Sequence, residues 1–178
     1  AMEVRDTEGR LLSVTRGPWD RPTHLPPDRF YEEFLLRESP LRAFGCPILY
    51  RTDALKAMKL ERFASLGHGY DNFIWRTIAR KHGAFYIPEP LGVWCVQPGS
   101  MSQAALKNRV LPEVVVSETV RWMRSEEIRP LYPEPYVSLW EKQYRQFLRF
   151  YFNPVLRPAV DAMLGLARFN ALRPIVQA

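Results

Sequence analysis

The chain has 178 residues, of which 47% are hydrophobic and 25% charged, and its net charge is +6. That length holds one domain with a substantial core, or one domain and a helical appendage; two complete catalytic domains are excluded, and so is a chain disordered throughout. The positive balance is spread over Arg and Lys along the whole length, which suits anionic partners (nucleotide phosphates, lipid head groups, nucleic acid) without choosing among them.

Residues 3–16 place the turn signal Glu8-Gly9 between short apolar segments containing Val4, Leu11, Leu12 and Val14, which predicts a hairpin or edge strand. Residues 17–29 read as a Pro-rich loop carrying Trp19 and His24. Trp19 is either a stacking platform in a site or, as tryptophans in loops more often are, a pin that fixes the loop to the core. Phe30, Phe34 and Leu35 predict a short helix ending before Pro40, and residues 44–51 read as a buried strand. Thr52 or Asp53 can cap the next helix, whose Leu55, Met58 and Leu60 face inward.

Residues 67–102 say most about function. Gly67 and Gly69 predict a tight polar loop that delivers Asp71 to the start of a helix. In that helix Ile74, Trp75, Ile78 and Ala79 share a stripe, Arg76, Arg80 and Lys81 lie elsewhere, and Gly83 is a stop. Phe85–Ile87 and Leu91–Val96 then read as strands on either side of Pro88-Glu89-Pro90, and Gln97-Pro98-Gly99-Ser100 as a turn. Pro112 opens a predicted helix reaching Arg124, with Val115, Val116, Thr119, Trp122 and Met123 on its apolar side. Tyr136, Trp140, Tyr144, Phe147, Leu148 and Tyr151 mark another amphipathic helix ending near Pro154, and Val155–Leu172 a last one. The aromatic and basic mixture of this tail suits either an anionic membrane surface or packing on the domain or a partner subunit.

Cys46 and Cys95 are the only cysteines; their spacing excludes a zinc module and predicts buried free thiols in a cytoplasmic protein. No run approaches the roughly 18 apolar residues of a membrane span, no signal peptide is evident, and Ala1-Met2 reads as a cloning remnant. There is no zinc finger, RNA-binding aromatic motif or dense Lys/Arg stripe, so nucleic acid is not an expected partner.

Asp71 itself has two readings. An aspartate opening a helix caps exposed N–H groups and complements the helix dipole; beside His68, Tyr70 and Asn72 it also has the makings of a general base. The pattern LYRTDALKAMKLERFASLGHGYDNFIWRTIARKHGAFYIPEPLGVWCVQPGSMS resembles the second half of family 2 glycosyltransferases. In that group "aromatic-Arg-x-x-Ala-Leu" leads to a loop with an acidic residue, then a helix with Trp, "Gly-x-x-x-x-Tyr-Ile-Pro-Glu-Pro-Leu" and a closing "His-Pro-Gly-Ser-x-Ser" loop. The match runs over roughly residues 3–103, best in 48–102, and its specificity lies in the order and spacing of the elements.

The resemblance implies part of a GT-A-type α/β unit over residues 1–103, followed by a mainly helical extension over 104–178. It implies transfer of a sugar, with inversion, from a nucleotide-sugar donor to a glycan or lipid-linked acceptor. Asp71 falls on the position of the catalytic base, and His68, Tyr70, Trp94, Ser100 and Ser102 become candidates for the acceptor pocket. An exposed carboxylate is ordinarily ionised at neutral pH and can accept the acceptor's proton.

The chain departs from the pattern in four ways. Tyr70 replaces the usual acidic residue before the base; Cys95 and Gln97 replace the Arg and His of the closing loop. Glu118-Thr119-Val120-Arg121-Trp122 echoes the Gln-x-x-Arg-Trp of processive synthases but lacks the Gln, and is read as chance. Finally, the aspartates, at 6, 20, 28, 53, 71 and 161, include no Asp-x-Asp pair, and no Gly-rich phosphate loop follows a strand. The Mg²⁺ or Mn²⁺ expected in the complete enzyme would therefore have its ligands outside this chain. The expectation is an acceptor-side portion, inactive alone, either a C-terminal fragment of a longer enzyme or a half-domain with another duty. The alternative is a non-catalytic interaction module that docks a protein partner or anionic membrane through its basic helical tail.

Overall fold

The computed structural model describes residues 1–37, 48–95 and 110–153. Within them the chain is mixed α/β and mostly helical, with two small sheets. The predicted hairpin is present: β1 (Met2–Arg5) pairs antiparallel with β2 (Leu11–Thr15). Its turn is held by the Asp6 carboxylate, which accepts the backbone N–H groups of Glu8 and Arg10, and by Gly9 at φ 79°. The Pro-rich segment conceals a strand, β3 (Thr23–Leu25), whose partner is β4 (Ala84–Tyr86). β5 (Val93–Cys95) completes the first sheet by running parallel to β1, with Val4 opposite Trp94. The sheet order is β2-β1-β5.

Trp19 takes its structural role. Its ring stacks on Phe34 and leans on Tyr86, tying the Pro-rich segment to the core. α1 begins at Pro27–Arg29 and continues as the π-helical stretch Phe30–Leu35, with Phe30, Phe34 and Leu35 buried as expected. α2 (Thr52–Ala57) starts one residue from the expected cap: the N-cap position is Arg51, no side chain caps it, and Asp53 instead binds the Arg51 guanidinium at 2.6 Å. The expected strand over 44–51 is not formed at Ile48–Tyr50, and its remainder lies outside the described residues.

The segment read as a tight loop is a 3₁₀ helix, Leu60–Gly69, bent at Gly67 (φ 53°), and it leads directly into α3 (Tyr70–His82). α3 is the centre of the fold. Every residue from Phe73 to Ala79 is buried, so the helix has no solvent face over two turns. This corrects the amphipathic reading: Arg76, expected outside, is only 4% exposed. Gly83 ends the helix at φ 80°, and a Cβ there would lie 2.7 Å from the Leu25 carbonyl of β3.

α4 (Val110–Met123) and α5 (Glu134–Tyr151), joined through the 3₁₀ turn Arg129–Leu131, close over α3. Val116, Val120 and Met123 of α4, and Tyr136, Val137, Trp140 and Leu148 of α5, belong to the same buried cluster as Leu25, Phe30 and Phe73. One core therefore crosses the sequence division at residue 103. Burying each large apolar side chain contributes about 1.5–3 kcal/mol. The aromatic pairs Phe30–Trp75, Phe63–Trp122 and Tyr132–Tyr136 add about 0.5–1.5 kcal/mol each.

Two polar ties lock α3 in place. Arg80 donates from Nη1 to the Pro27 carbonyl (2.6 Å) and from Nε to the Leu131 carbonyl (2.8 Å), with its guanidinium over the Tyr31 ring at 4.7 Å. Thr77 Oγ1 gives its proton to the Phe73 carbonyl, so the fully buried Tyr132 hydroxyl is the donor in their 3.0 Å contact. Cys95 is exposed, contrary to the expected buried thiol, because β5 is an edge strand with all three residues in solvent; Cys46 and the helix expected at 155–172 lie outside the described residues. No described helix is long and apolar enough to cross a membrane.

Replacing Arg80 by Met, which keeps the stem and removes both bonds, is expected to cost about 2–3 kcal/mol of stability in urea unfolding. A cost near zero would remove Arg80 from this role. The buried phenols predict an alkaline limit as well. Burial raises the pKa of Tyr132 and Tyr136 in the folded state. Their contribution is complete below the unfolded phenol's value of about 10 and is lost as pH climbs through the folded values. Unfolding free energy measured from pH 8 to 11 should fall above pH about 10, and a flat profile would contradict the burial.

Candidate functional site

Asp71 is the second residue of α3 and is exposed. The N-cap position belongs to Gly69, which has no side chain to cap with, and there is no room for one: a Cβ on Gly69 would run into Val115 Cγ1 of α4. Close seating of α4 on the start of α3 thus fixes the direction in which the helix begins. Asp71 Oδ1 accepts the backbone N–H of Asn72 at 2.7 Å, and Asn72 Oδ1 accepts the Trp75 indole N–H at 3.2 Å. The acidic first turn and the basic last turn (Arg80, Lys81, His82) complement the helix dipole. Asp71 therefore does part of a capping residue's work while remaining open to solvent.

The other candidates are placed unevenly. Tyr70 adjoins Asp71, but its hydroxyl turns back to donate to the Leu60 carbonyl at 3.1 Å, tying the 3₁₀ segment to α3; burial, with Glu61 adding to it, raises its phenol's pKa. His68 lies in the 3₁₀ segment, and its side chain is outside the described set. Trp94 stands on β5, 46% exposed, in a different element from Asp71. Ser100 and Ser102 lie outside the described residues.

The structure adds residues that the sequence pattern did not assign to this region. Tyr144 of α5 senses both Asp71 and Arg76: burial raises its pKa, the Arg76 charge opposes the rise, and the Asp71 carboxylate adds to it. Tyr136 is raised by burial and restrained by the same Arg76, through its charge and a side-chain hydrogen bond. Arg76 also lies 5.4 Å from the centre of the Trp75 ring. Arg76 is thus a buried cation at the α3–α5 seam, with the phenols of Tyr136 and Tyr144 near it. The heptad-like spacing of α5 predicts its apolar face, but nothing in the sequence says that Arg76 comes to lie near it.

Among the described residues, no group of three His, Cys, Asp or Glu side chains could hold a metal ion. No family model matches the chain, and no curated protein or solved structure matches it either.

The seam makes a titration prediction. Asp71→Asn removes a negative charge that disfavours the Tyr144 phenolate, so the Tyr144 pKa should fall while staying above the ordinary tyrosine value, because burial is the larger cause. Tyrosine ¹³Cζ shifts followed by NMR through alkaline pH would measure this. An unmoved Tyr144 would mean the two groups do not interact.

Proposed function

We propose that this chain is the acceptor-side portion of an inverting, nucleotide-sugar-dependent glycosyltransferase, with Asp71 as its general base. The observation that carries the reading is the exposed Asp71 carboxylate at the first turn of a helix buried from Phe73 to Ala79, followed by β4 and β5 in the order that the resemblance requires. A rigid helix start suits a base whose position must be defined to a fraction of an ångström.

In the proposed reaction the acceptor oxygen forms a bond to the anomeric carbon as the bond from that carbon to the nucleoside diphosphate breaks. The acceptor proton passes to Asp71, and the bonding electron pair leaves with the diphosphate. Donor and metal binding are assigned to residues outside this chain, in keeping with the missing Asp-x-Asp pair. The same resemblance assigns the mixed α/β fold to the GT-A type.

A second reading, an interaction module, is favoured by one observation. Phe85 (62% exposed), Leu91 (66%), Val93 and Trp94 leave apolar side chains in solvent around β4 and β5, a surface of the kind that partners cover. The membrane form of that reading rests on the tail beyond Asn153, outside the described residues.

The test uses the protein with its natural flanking sequence and a panel of nucleotide-sugars. Asp71→Asn is expected to lower kcat about 10²–10⁴-fold with little change in donor KM. Transfer that survives this substitution would remove Asp71 as the base.

A further inference from the structure

The chain enters α3 through a bend whose shape is set by one residue. Gly67 interrupts the 3₁₀ segment at φ 53° and ψ −128°, far from any helical conformation. Residues with a side chain rarely adopt it, because at positive φ a Cβ crowds its own backbone. Space is not the obstacle: a Cβ built on Gly67 would meet nothing within 4 Å. Gly69 is the opposite case, with an ordinary φ of −89° and Val115 in the place of its missing side chain. Glycine is needed at 67 for its backbone and at 69 for its size.

The bend has firm ground on both sides. Leu66 is completely buried before it, and α3 is buried from Phe73 to Ala79. The Tyr70 backbone N–H donates to the Gly67 carbonyl, and the Tyr70 hydroxyl donates to the Leu60 carbonyl at 3.1 Å, so the two limbs are pinned across the bend. A change of backbone angle at Gly67 cannot be taken up by Leu66 or Phe73 without moving the core. It falls on the residues between, of which Gly69, Tyr70 and Asn72 are half-buried and Asp71 is exposed. Asp71 is the least enclosed side chain described in the stretch that must absorb the change.

We propose that Gly67 is a positioning residue for Asp71, its positive-φ backbone fixing where the first turn of α3 holds the carboxylate. The proposal rests on the reading of Asp71 as a general base and adds the residue that aims it. Gly67 touches no reactant and acts through the helix start. A base must stand within hydrogen-bond reach of the proton it takes, and a displacement of about 1 Å can cost about 10²-fold in rate.

The test uses the protein with its natural flanking sequence. Gly67→Ala should lower kcat about 10–10²-fold while donor KM stays as it is. Gly67→Asn should fall between wild type and the Ala variant, because asparagine tolerates positive φ better than most side chains, and it carries the test should Gly67→Ala fail to fold. Gly9→Ala is the control: it too places a side chain at positive φ (79°) in open space, but in the β1–β2 turn. Both Ala variants should lose about a few degrees of Tm, and only the change at 67 should slow transfer. A second readout does not depend on activity. The Asn72 backbone N–H donates to the Asp71 carboxylate at 2.7 Å, so its ¹H–¹⁵N signal reports the first turn. That signal should move in Gly67→Ala and stay in Gly9→Ala.

Variants at Gly67 that lower the Tm but leave kcat and the Asn72 signal unchanged overturn the proposal, because the glycine would then serve the fold alone. A slowed reaction with an unmoved Asn72 signal overturns it equally. If the Gly67 variants transfer at full rate while Asp71→Asn does not, the positioning role falls and the base stands. Transfer that survives Asp71→Asn removes the base, and Gly67 then has nothing to aim.

Discussion

The guanidinium of Arg80 is the constraint on which the arrangement depends. It satisfies carbonyls at Pro27 and Leu131, which lie 53 and 51 residues away along the chain, and rests on the Tyr31 ring. Both carbonyls belong to short helical turns next to prolines, where regular backbone hydrogen bonding is interrupted. One planar, permanently charged fork thus donates at both places, and it fixes α1 and the α4–α5 connection to the same turn of α3. Lysine could not reproduce this geometry, having a single point charge in place of a fork.

Because α3 is enclosed on all sides, whatever its first turn presents is held rigidly. The last turn is anchored by Arg80 and by Gly83 against Leu25, the middle by Thr77 and Tyr132, and the beginning by Val115 against Gly69. The same enclosure explains Arg76. A helix buried all round has no polar face left, so a cation in its middle must be met by the side chains of neighbouring helices, and it lies within reach of the phenols of Tyr136 and Tyr144.

Much of this was legible in the sequence, and the misses have physical causes. The hairpin turn at Gly9, the extent of α3 to Gly83 and the apolar faces of α4 and α5 all follow from local signals. β3 was hidden because three residues between prolines are too few for a period-two pattern, and only pairing with β4 makes them a strand. Arg76 reads as exposed because periodicity reports the commonest partition of a helix surface; enclosure by the elements packed around α3 is a tertiary fact. Asp71 can be singled out in the sequence, whereas the phenols of α5 near Arg76 cannot, since they lie far along the chain and the spacing of a helix does not name what its face will meet. The exposed thiol of Cys95 follows from the position of β5 at a sheet edge, which the apolar run Leu91–Val96 does not encode.

A carboxylate in the first turn of a helix is complemented by the free backbone N–H groups and the positive end of the dipole. Asp71 meets that condition by accepting the Asn72 N–H while its side chain stays in solvent. It can do so because Gly69, against which Val115 packs, occupies the cap position and brings no side chain of its own. The seating of α4 on the start of α3 therefore sets both the direction of the helix and the place of its first carboxylate.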